Sequence, residues 1–360
     1  MTTLFSPLQA GALTLPNRIL MAPLTRTRAE AEHVPGALMA THYAQRASAG
    51  LLIAEATMAM EGTSAFWKEP GIYSEAQIAG WRQVTDAVHA AGGRIALQIW
   101  HAGRAAHPLL NDGRVPVSSS AVAIANDQVH TPQGKQPYTV PRALADDEIP
   151  AIVAGFAQAA RNAQAAGFDA VEVHGANGYL LDQFLRDGVN TRDGAYGGPI
   201  ENRARLLLEV LDAVIGVWGS DRVGLRLSPL NSYNDMIDSD PIGLITWLAR
   251  RLNGYDLAYL HLMRGDFFGK QHGDVVTPVR AHYTGVLVGN MGYTPAEAAA
   301  AVAAGMLDAV AFGTSFLANP DLPARIAAGA ELNAPNPATF YTPGPEGYID
   351  YPSMEAAEAI

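Results

Sequence analysis

The stretch VEVHGANGYLLDQFL, residues 171–185, joins a strand-like pattern to a helix-like apolar run. Apolar residues alternate with polar ones at its start, which indicates a β-strand, and the run after Tyr179 is typical of a helix. His174, Asn177 and Tyr179 fall where the strand pattern ends. A strand followed by a helix is the repeating unit of α/β folds, and three polar side chains at the junction indicate a candidate site.

Similar apolar runs recur along the chain, separated by helical patterns. They read RILMAP (18–23), LLIAEA (51–56), RIALQIW (94–100), AVEVHG (170–175), VGLRLSP (223–229), LAYLHLM (257–263), GVLVGN (285–290) and AVAFG (309–313). Most are too continuously apolar for a sheet with one wet face, which favours buried parallel strands. The repeats predict an α/β protein with a (β/α)8 TIM barrel. A doubly wound sheet is the alternative, because periodicity does not show closure, and the strand count favours the barrel.

The segments between these runs carry helix signals. Pro35 and Gly50 bracket one segment with the usual asymmetry of helix ends, and others space apolar residues by three and four. Helices are predicted over residues 35–50, 148–168, 201–219, 241–252, 294–308 and 321–330.

One interval, residues 101–147 between the third and fourth strands, is too long for a simple connection. It contains several Pro and Gly residues and has no helical period. Long excursions of this kind are often lids or binding loops. We therefore expect a capping loop region over the barrel mouth, within a single domain that spans residues 1–360.

Composition excludes several classes of protein. The formal net charge of −11 disfavours a nucleic-acid or anionic-membrane binder. The absence of cysteine excludes disulfides, thiolate nucleophiles and Cys-ligated metals. The first residues, MTTLFSPLQAGALTL, do not resemble a signal peptide, and no run of about 18 apolar residues predicts a membrane span. We expect a cytoplasmic monomer or small homo-oligomer without a metal.

The strand ends carry the candidate chemistry, because active sites of such barrels lie at the carboxyl ends of the strands. The first ends in Pro23, Leu24 and Thr25, and the second at Ala56. The other ends add Gln98, Trp100, His174, Arg226, Gly289, Asn290, Gly292, Phe312, Gly313 and Thr314. The last two ends are glycine-containing turns before helix starts, which suits a phosphate. The remaining donors and acceptors suit a flat polar ring, so together these ends suggest flavin mononucleotide (FMN).

Each residue alone also has a structural interpretation. His174 can be a histidine satisfied at a strand end, Arg226 can pair with a carboxylate in the core, and Gln98 can simply cap the barrel. Other catalytic motifs fail. The stretch GDFFGKQ (265–271) has the wrong spacing for a phosphate loop, His101 and His107 have poor metal spacing, and neither GxSxG, HExxH nor GxGxxG after a strand is present.

These residues fall within motifs that resemble the old yellow enzyme family of flavin-dependent ene-reductases. The similarity runs in order over nearly the whole chain. It is carried by MAPLTR (21–26), YAQRASAGLLIAEAT (43–57), QIWHAGR (98–104), HGANGYLLDQFL (174–185), NTRDGAYGG with ENRAR (190–205), GLRLSP (224–229), FGTSFLANPDLP (312–323) and EGYIDYP (346–352).

The resemblance implies a barrel with tightly bound FMN that is reduced by NADPH or NADH and then reduces an activated alkene. His174 and Asn177 look like the pair that binds the carbonyl or nitro oxygen of the substrate, and Tyr179 looks like the proton donor. Thr25, Gln98, Arg226 and the Ala56 backbone match contacts to the flavin ring. Gly289, Asn290, Gly292 and Gly313 match the phosphate end. The expected lining of the substrate pocket is completed by Trp100, Phe66 and Tyr348.

One departure concerns the phosphate end. The family usually has an arginine after the glycine of the eighth strand, and this chain has Thr314. We therefore expect FMN to bind but to be lost more readily, unless another cation such as Arg325 or Lys270 compensates. Pro199, which replaces a usual small polar residue, is expected to be minor.

Two other functions compete with the ene-reductase. A cofactorless or phosphate-substrate barrel, such as an aldolase or isomerase, would need a lysine or paired carboxylates at the strand ends, which are instead mostly Arg, Gln, His and Tyr. A flavin-binding protein without efficient turnover is the other, since Thr314 weakens the expected grip on the cofactor.

Overall fold

The protein, described here by a computed structural model of residues 2–354, forms a closed barrel of parallel strands. Each strand pairs with its neighbours in chain order, and the last pairs with the first. The strands are β1 (Ile19–Met21), β2 (Leu52–Met58), β3 (Ile95–Trp100), β4 (Ala170–Gly175), β5 (Val223–Leu227), β6 (Tyr259–Met263), β7 (Leu287–Asn290) and β8 (Ala309–Phe312). Every strand residue is buried, which explains the continuous apolar runs. The predicted (β/α)8 barrel is confirmed, and the doubly wound alternative is wrong.

Helices follow the strands and pack outside the barrel. They are α1 (Ala37–Ala44), α2 (Glu75–Ala90), α3 (Ile149–Ala165), α4 (Arg205–Trp218), α5 (Pro241–Leu252), α6 (Val276–His282), α7 (Pro295–Ala303) and α8 (Leu322–Ala328). Shorter α-helices cover Leu180–Leu185, Ile200–Arg203 and Thr314–Ala318. Single 3-10 turns cover Ala31–His33, Gly103–Ala105, Pro108–Leu110, Asp146–Glu148, Ser220–Arg222, Tyr233–Asp235 and Pro337–Thr339. The six predicted helices are present, most of them shorter at their ends.

Helices α2 and α6 were not predicted from the sequence, although α2 carries a clear local signal. Its first turn is a capping box in which Ser74 and Gln77 satisfy each other's backbone N–H groups. Ile78, Trp81 and Val84 then follow at helical spacing and are buried against the barrel.

Two layers of core lie on either side of the barrel wall. The outer layer packs the helices against outward-facing strand residues such as Leu97 and Val173. The inner layer is continuous with an N-terminal hairpin, Leu8–Ala10 with Leu13–Leu15, whose leucines pack against Leu20, Ile53 and Tyr259 inside the barrel. The hairpin closes the amino-terminal end of the barrel, so the carboxyl end is left for a site.

The long excursion after β3 contains little regular structure. Val117–Ser118 pairs with Arg142–Ala143, and Gln128–Thr131 forms a hairpin with Gly134–Pro137. Its first residues, including Ala102 and Ala106, pack with Trp100 and Tyr179 at the carboxyl ends of the strands. That packing is consistent with a cap, and the capping role of residues 101–147 stays a prediction. Within residues 2–354, no helix has the length and hydropathy needed to cross a membrane.

Candidate active site

The stretch after β4 places its three polar residues by a tight reversal of the chain. His174 lies in β4, Asn177 has a φ of 58° and Gly178 a φ of 72°, and Tyr179 is the N-cap of the helix Leu180–Leu185. Two successive left-handed residues suit Asn and Gly, which tolerate that region best. The Asn177 N–H donates to Ser228 Oγ at 2.7 Å, which fixes the turn against the end of β5.

An aromatic cluster surrounds these residues. The rings of Trp100 and Tyr179 meet edge to face with centroids 4.3 Å apart, and His174 lies 5.2 Å from Tyr179. Phe66 adds its ring 6.2 Å from Trp100. The structure therefore brings four of the predicted site residues, His174, Tyr179, Trp100 and Phe66, into one cluster.

Tyr348 does not join this cluster, which corrects the expected pocket lining. Its ring is fully buried and stacks on His42 at 4.0 Å, beneath the guanidinium groups of Arg26 and Arg28. The C-terminal aromatic residue that reaches the cluster is Tyr341, which stacks on Phe66 at 6.1 Å. Both tyrosines lie in a segment without periodicity, so the sequence offers no signal that separates them.

The amide of Asn177 has a defined orientation. Asn231, which is fully buried, donates through Nδ2 to Asn177 Oδ1 at 2.9 Å. Asn231 Oδ1 in turn accepts from the Phe267 N–H at 3.2 Å, which orients the Asn231 amide. Because its oxygen is engaged, Asn177 presents its Nδ2 group as a hydrogen-bond donor to the site.

His174 and Tyr179 have protonation states set mainly by burial. Burial lowers the pKa of the His174 imidazole well below its usual value, and the positive charge of Arg226 lowers it further. Burial raises the pKa of the Tyr179 phenol well above its usual value, with Tyr233 and Tyr138 adding to the effect. At neutral pH the site therefore holds a neutral imidazole and a protonated phenol.

Inside the barrel, a buried carboxylate orients Gln98. Glu172 of β4 accepts from Gln98 Nε2 at 2.7 Å and pairs with His261 Nδ1 at 2.9 Å. Burial alone would raise the pKa of Glu172, but His261 and Arg226 outweigh it and hold that pKa below its usual value. Because the Nε2 group of Gln98 donates to Glu172, its Oε1 atom points away from Glu172 and can accept a hydrogen bond. Glu172 and His261 are not among the residues predicted from the sequence, although both are polar residues within buried apolar strands.

Arg226 is held by the neighbouring strand ends. Its Nη2 donates to Asn290 Oδ1 at 2.8 Å, and Asn290 Nδ2 donates to the Ala311 carbonyl at 2.8 Å. Asn290 therefore holds Arg226 in place. The sequence did not indicate this contact. The Arg226 Nε, which is buried, has no hydrogen-bond partner among the described residues.

A cavity of about 190 Å³ opens beside Arg226. Seven predicted cofactor residues line it: Leu24, Arg226, Asn290, Gly292, Phe312, Gly313 and Thr314. Gly289 is not in the lining, because its Cα faces Leu307, so close that an added Cβ would lie 2.4 Å from Leu307 Cδ1. The missing side chain of Gly289 therefore serves the packing of β7.

The remaining predicted cofactor residues lie at the mouth near β1 and β2. Pro23 and Thr25 follow β1, and the next N–H, that of Arg26, donates to Glu55 of β2. Pairing between β2 and β3 shifts register between Ala54 and Thr57, so Ala56 lies in a bulge. A bulge leaves backbone groups outside the strand ladder, which suits a backbone contact to a ligand.

Three of the buried polar atoms that lack a hydrogen-bond partner among the described residues lie at the strand ends. Besides Arg226 Nε, the buried His174 Nδ1 and Trp100 Nε1 have no hydrogen-bond partner within residues 2–354. Buried polar atoms are normally paired, so unpaired ones at strand ends indicate a ligand. Arg226 Nε, together with the acceptor of Gln98 and the glycine turns of the cavity, fits the ring and phosphate of FMN, and His174 Nδ1 and Trp100 Nε1 remain for a second ligand.

The sequence of the chain matches the model of the NADH:flavin oxidoreductase / NADH oxidase family over residues 3–333. The chain belongs to this family. A member from Leishmania infantum, described as a probable flavin mononucleotide-dependent alkene reductase, is 53% identical over 98% of this chain and 97% of that protein. The rice 12-oxophytodienoate reductase 1 is 42% identical, and the match covers 98% of this chain and 93% of the rice protein.

Solved structures agree with this family membership. Morphinone reductase superposes with a TM-score of 0.95 at 46% identity, covering 99% of this chain and 97% of its own. The old yellow enzyme from Trypanosoma cruzi superposes with a TM-score of 0.95 at 46% identity, and the match covers 98% of this chain and 99% of that chain. The chain is therefore an FMN-dependent oxidoreductase of the old yellow enzyme type that takes electrons from a nicotinamide. The aldolase or isomerase alternative is wrong.

Proposed function

We propose that this family member reduces the activated C=C bond of α,β-unsaturated carbonyls and nitroalkenes, with protonation by Tyr179. The observation that carries the proposal is the cluster of a neutral His174, an oriented Asn177 donor and a protonated Tyr179 at one barrel mouth. Bound FMN supplies hydride that it has received from NADPH or NADH.

The contacts to FMN divide between two ends of the site. The Thr25 hydroxyl, the Ala56 backbone, Gln98 Oε1 and Arg226 Nε would bind the ring, with Pro23 and Leu24 packed against it. The turns at Gly292 and Gly313, with Thr314 and Phe312, would bind the phosphate, and Asn290 would hold Arg226. A fixed cation beside the ring favours a reduced, anionic flavin.

His174 and Asn177 would bind the oxygen of the substrate. Each offers one N–H donor, and negative charge grows on that oxygen as hydride reaches the β-carbon. The donors are fixed before reaction, His174 by its strand and Asn177 by Asn231. They therefore stabilise the enolate-like charge more than the neutral substrate.

Tyr179 would deliver the proton to the α-carbon. The same burial that excludes water from the phenol keeps it protonated at neutral pH. A weak acid held within the site can then donate as the α-carbon becomes basic. Trp100 and Phe66, with Tyr341 in place of Tyr348, would line the pocket around the alkene.

Three measurements on purified protein test the proposal. Denaturation should release FMN and not FAD, NADPH should bleach the yellow colour without oxygen, and cyclohexenone should restore it. Bleaching without recovery on any enone or nitroalkene would instead support a flavin-binding protein without efficient turnover. The cytoplasmic location and the monomeric or small homo-oligomeric state stay predictions.

A further inference from the structure

The proposed phosphate end of the cavity has too little positive charge to balance the negative charge of the phosphate. A phosphomonoester carries about −1.5 to −2 at neutral pH. Among the described residues that line the cavity, Arg226 is the one charged side chain, and it already interacts with the buried Glu172 carboxylate. Thr314 and the glycine turns offer hydrogen bonds without a positive charge.

Arg325 and Lys270, the two cations that the sequence suggested, do not supply this positive charge. Arg325 is bound to Asp321 at 2.8 Å and to the carbonyls of Glu331 and Pro352. Lys270 lies 3.9 Å from the Asp235 carboxylate. Neither residue lines the cavity.

Arg264 directly follows β6 and contacts the turn at Met291 and Gly292, which lines the cavity. Its Nε donates to the Met291 carbonyl at 2.9 Å, and its Nη2 donates to the Gly292 carbonyl at 2.8 Å. The guanidinium also stacks 3.7 Å from the centroid of the Tyr293 ring. One cation therefore binds two successive carbonyl groups of the turn.

This clamp determines where the amides of the turn point. In a trans peptide the C=O and N–H are antiparallel, so carbonyls directed at Arg264 direct the N–H groups of Gly292 and Tyr293 away from it. Both residues line the cavity. Met291 has a φ of 79° and Gly292 a φ of 67°, an unfavourable backbone for methionine that the two hydrogen bonds help to hold.

We propose that Arg264 supplies the positive charge for the FMN phosphate, by holding the Gly292 and Tyr293 amides toward it and by its own field. The inference rests on the phosphate end of the proposed site. A nearby carboxylate modulates the charge, because Glu297 lies 3.4 Å from Arg264 Nη2. Glu297 also closes the capping box of α7 with Thr294, a role that glutamine can take.

The test compares FMN with riboflavin, which lacks the phosphate. The full-length chain is freed of flavin and titrated with each ligand, with flavin fluorescence as the readout. Arg264→Met should weaken FMN binding roughly 10- to 100-fold, the range for a hydrogen bond to a charged group, and leave riboflavin within about twofold. Lys270→Met, the matched removal of a cation that pairs with Asp235, should change neither affinity.

Two further variants keep the proposal testable if Arg264→Met does not fold. Glu297→Gln preserves the capping box and removes the competing charge, so it should tighten FMN and not riboflavin. Thr314→Arg in the Arg264→Met background should restore FMN affinity. Equal losses for both flavins, or an unchanged FMN affinity in Arg264→Met and Glu297→Gln, would overturn the proposal while leaving the ene-reductase function intact. Wild-type protein that binds neither flavin would instead refute the proposed function.

Discussion

Single residues define the proposed chemistry, and Tyr179 is the most specific of them. Tyr179→Phe keeps the aromatic packing on Trp100 and removes the hydroxyl group that would donate the proton. Flavin reduction by NADPH should stay nearly intact, while enone reduction should slow about 10²–10⁴-fold, with a smaller effect on nitroalkenes, whose anions can be protonated in water. Stopped-flow measurement of the two half-reactions checks this. Equal loss in both would rule out the proton-donor role.

Asn231 determines which end of the Asn177 amide faces the proposed substrate site. An Asn231→Asp substitution replaces a donor with an acceptor of the same shape, so Asn177 should rotate and present its oxygen. Enone turnover should then fall about 10²–10³-fold, the typical effect of losing one charge-stabilising donor. A double-mutant cycle with Asn177→Ala should show little additional loss. Additive losses would mean that Asn231 acts by another route.

Glu172 places a buried negative charge close enough to Arg226 to interact with it electrostatically. Glu172→Gln can keep the contacts to Gln98 and His261 while removing that charge from beside Arg226. The anionic reduced flavin should become more stable, and a tenfold change in the equilibrium corresponds to about 30 mV for two electrons. Anaerobic titration against a reference dye should therefore show a higher midpoint potential. A lower potential would contradict this electrostatic role.

At the scale of elements, the turn after β4 depends on its contact with the segment after β5. An added Cβ on Gly178 would lie 2.7 Å from Asn234 Cβ and 2.7 Å from Met236 Cγ. Gly178→Ala should therefore shift both segments, lower the unfolding free energy by about 1–3 kcal/mol beyond the backbone strain, and raise KM for the enone.

Gly198 provides the matched control for that prediction. Its φ of 74° is close to the 72° of Gly178, and no atom of residues 2–354 lies within 4 Å of an added Cβ. Gly198→Ala therefore reports the strain of a left-handed alanine alone. Chemical denaturation and steady-state kinetics compare the two variants, and equal effects would show that packing at Gly178 contributes nothing.

For the whole molecule, Glu55 links stability to pH. It is buried between the Arg26 N–H and the Tyr43 hydroxyl, and burial raises its pKa from 4.5 to about 7. The folded state thus binds a proton that the unfolded state releases between about pH 4.5 and 7, so this group's contribution to stability falls as pH rises through that window.

Glu55→Gln should remove that dependence. The variant should gain stability over wild type at pH 8, by an amount on the order of 3 kcal/mol at most, and gain little at pH 4.5. Thermal denaturation at the two pH values measures the difference. A gain that is the same at both values would show that Glu55 does not titrate in this window.

The predictable parts of the fold and site are those encoded locally. Each barrel strand is buried on both faces, so its apolar run is visible without knowledge of its neighbours. His174, Asn177 and Tyr179 lie within one turn of chain, so a single stretch predicts that they lie close together. Helix α2 is also encoded locally, by its capping box and the spacing of its apolar residues.

The sequence by itself therefore determined the barrel and that His174, Asn177 and Tyr179 lie together at the carboxyl end of β4, where the proposed site lies. Only the tertiary structure decided which C-terminal tyrosine reaches the aromatic cluster, which way the Asn177 amide faces, and that Arg264 binds the carbonyls of Met291 and Gly292. Tyr341 and Tyr348 share an aperiodic segment whose position depends on Arg26 and Arg28, more than 300 residues earlier. Such contacts arise from the closure of the barrel, and no local pattern of residues records them.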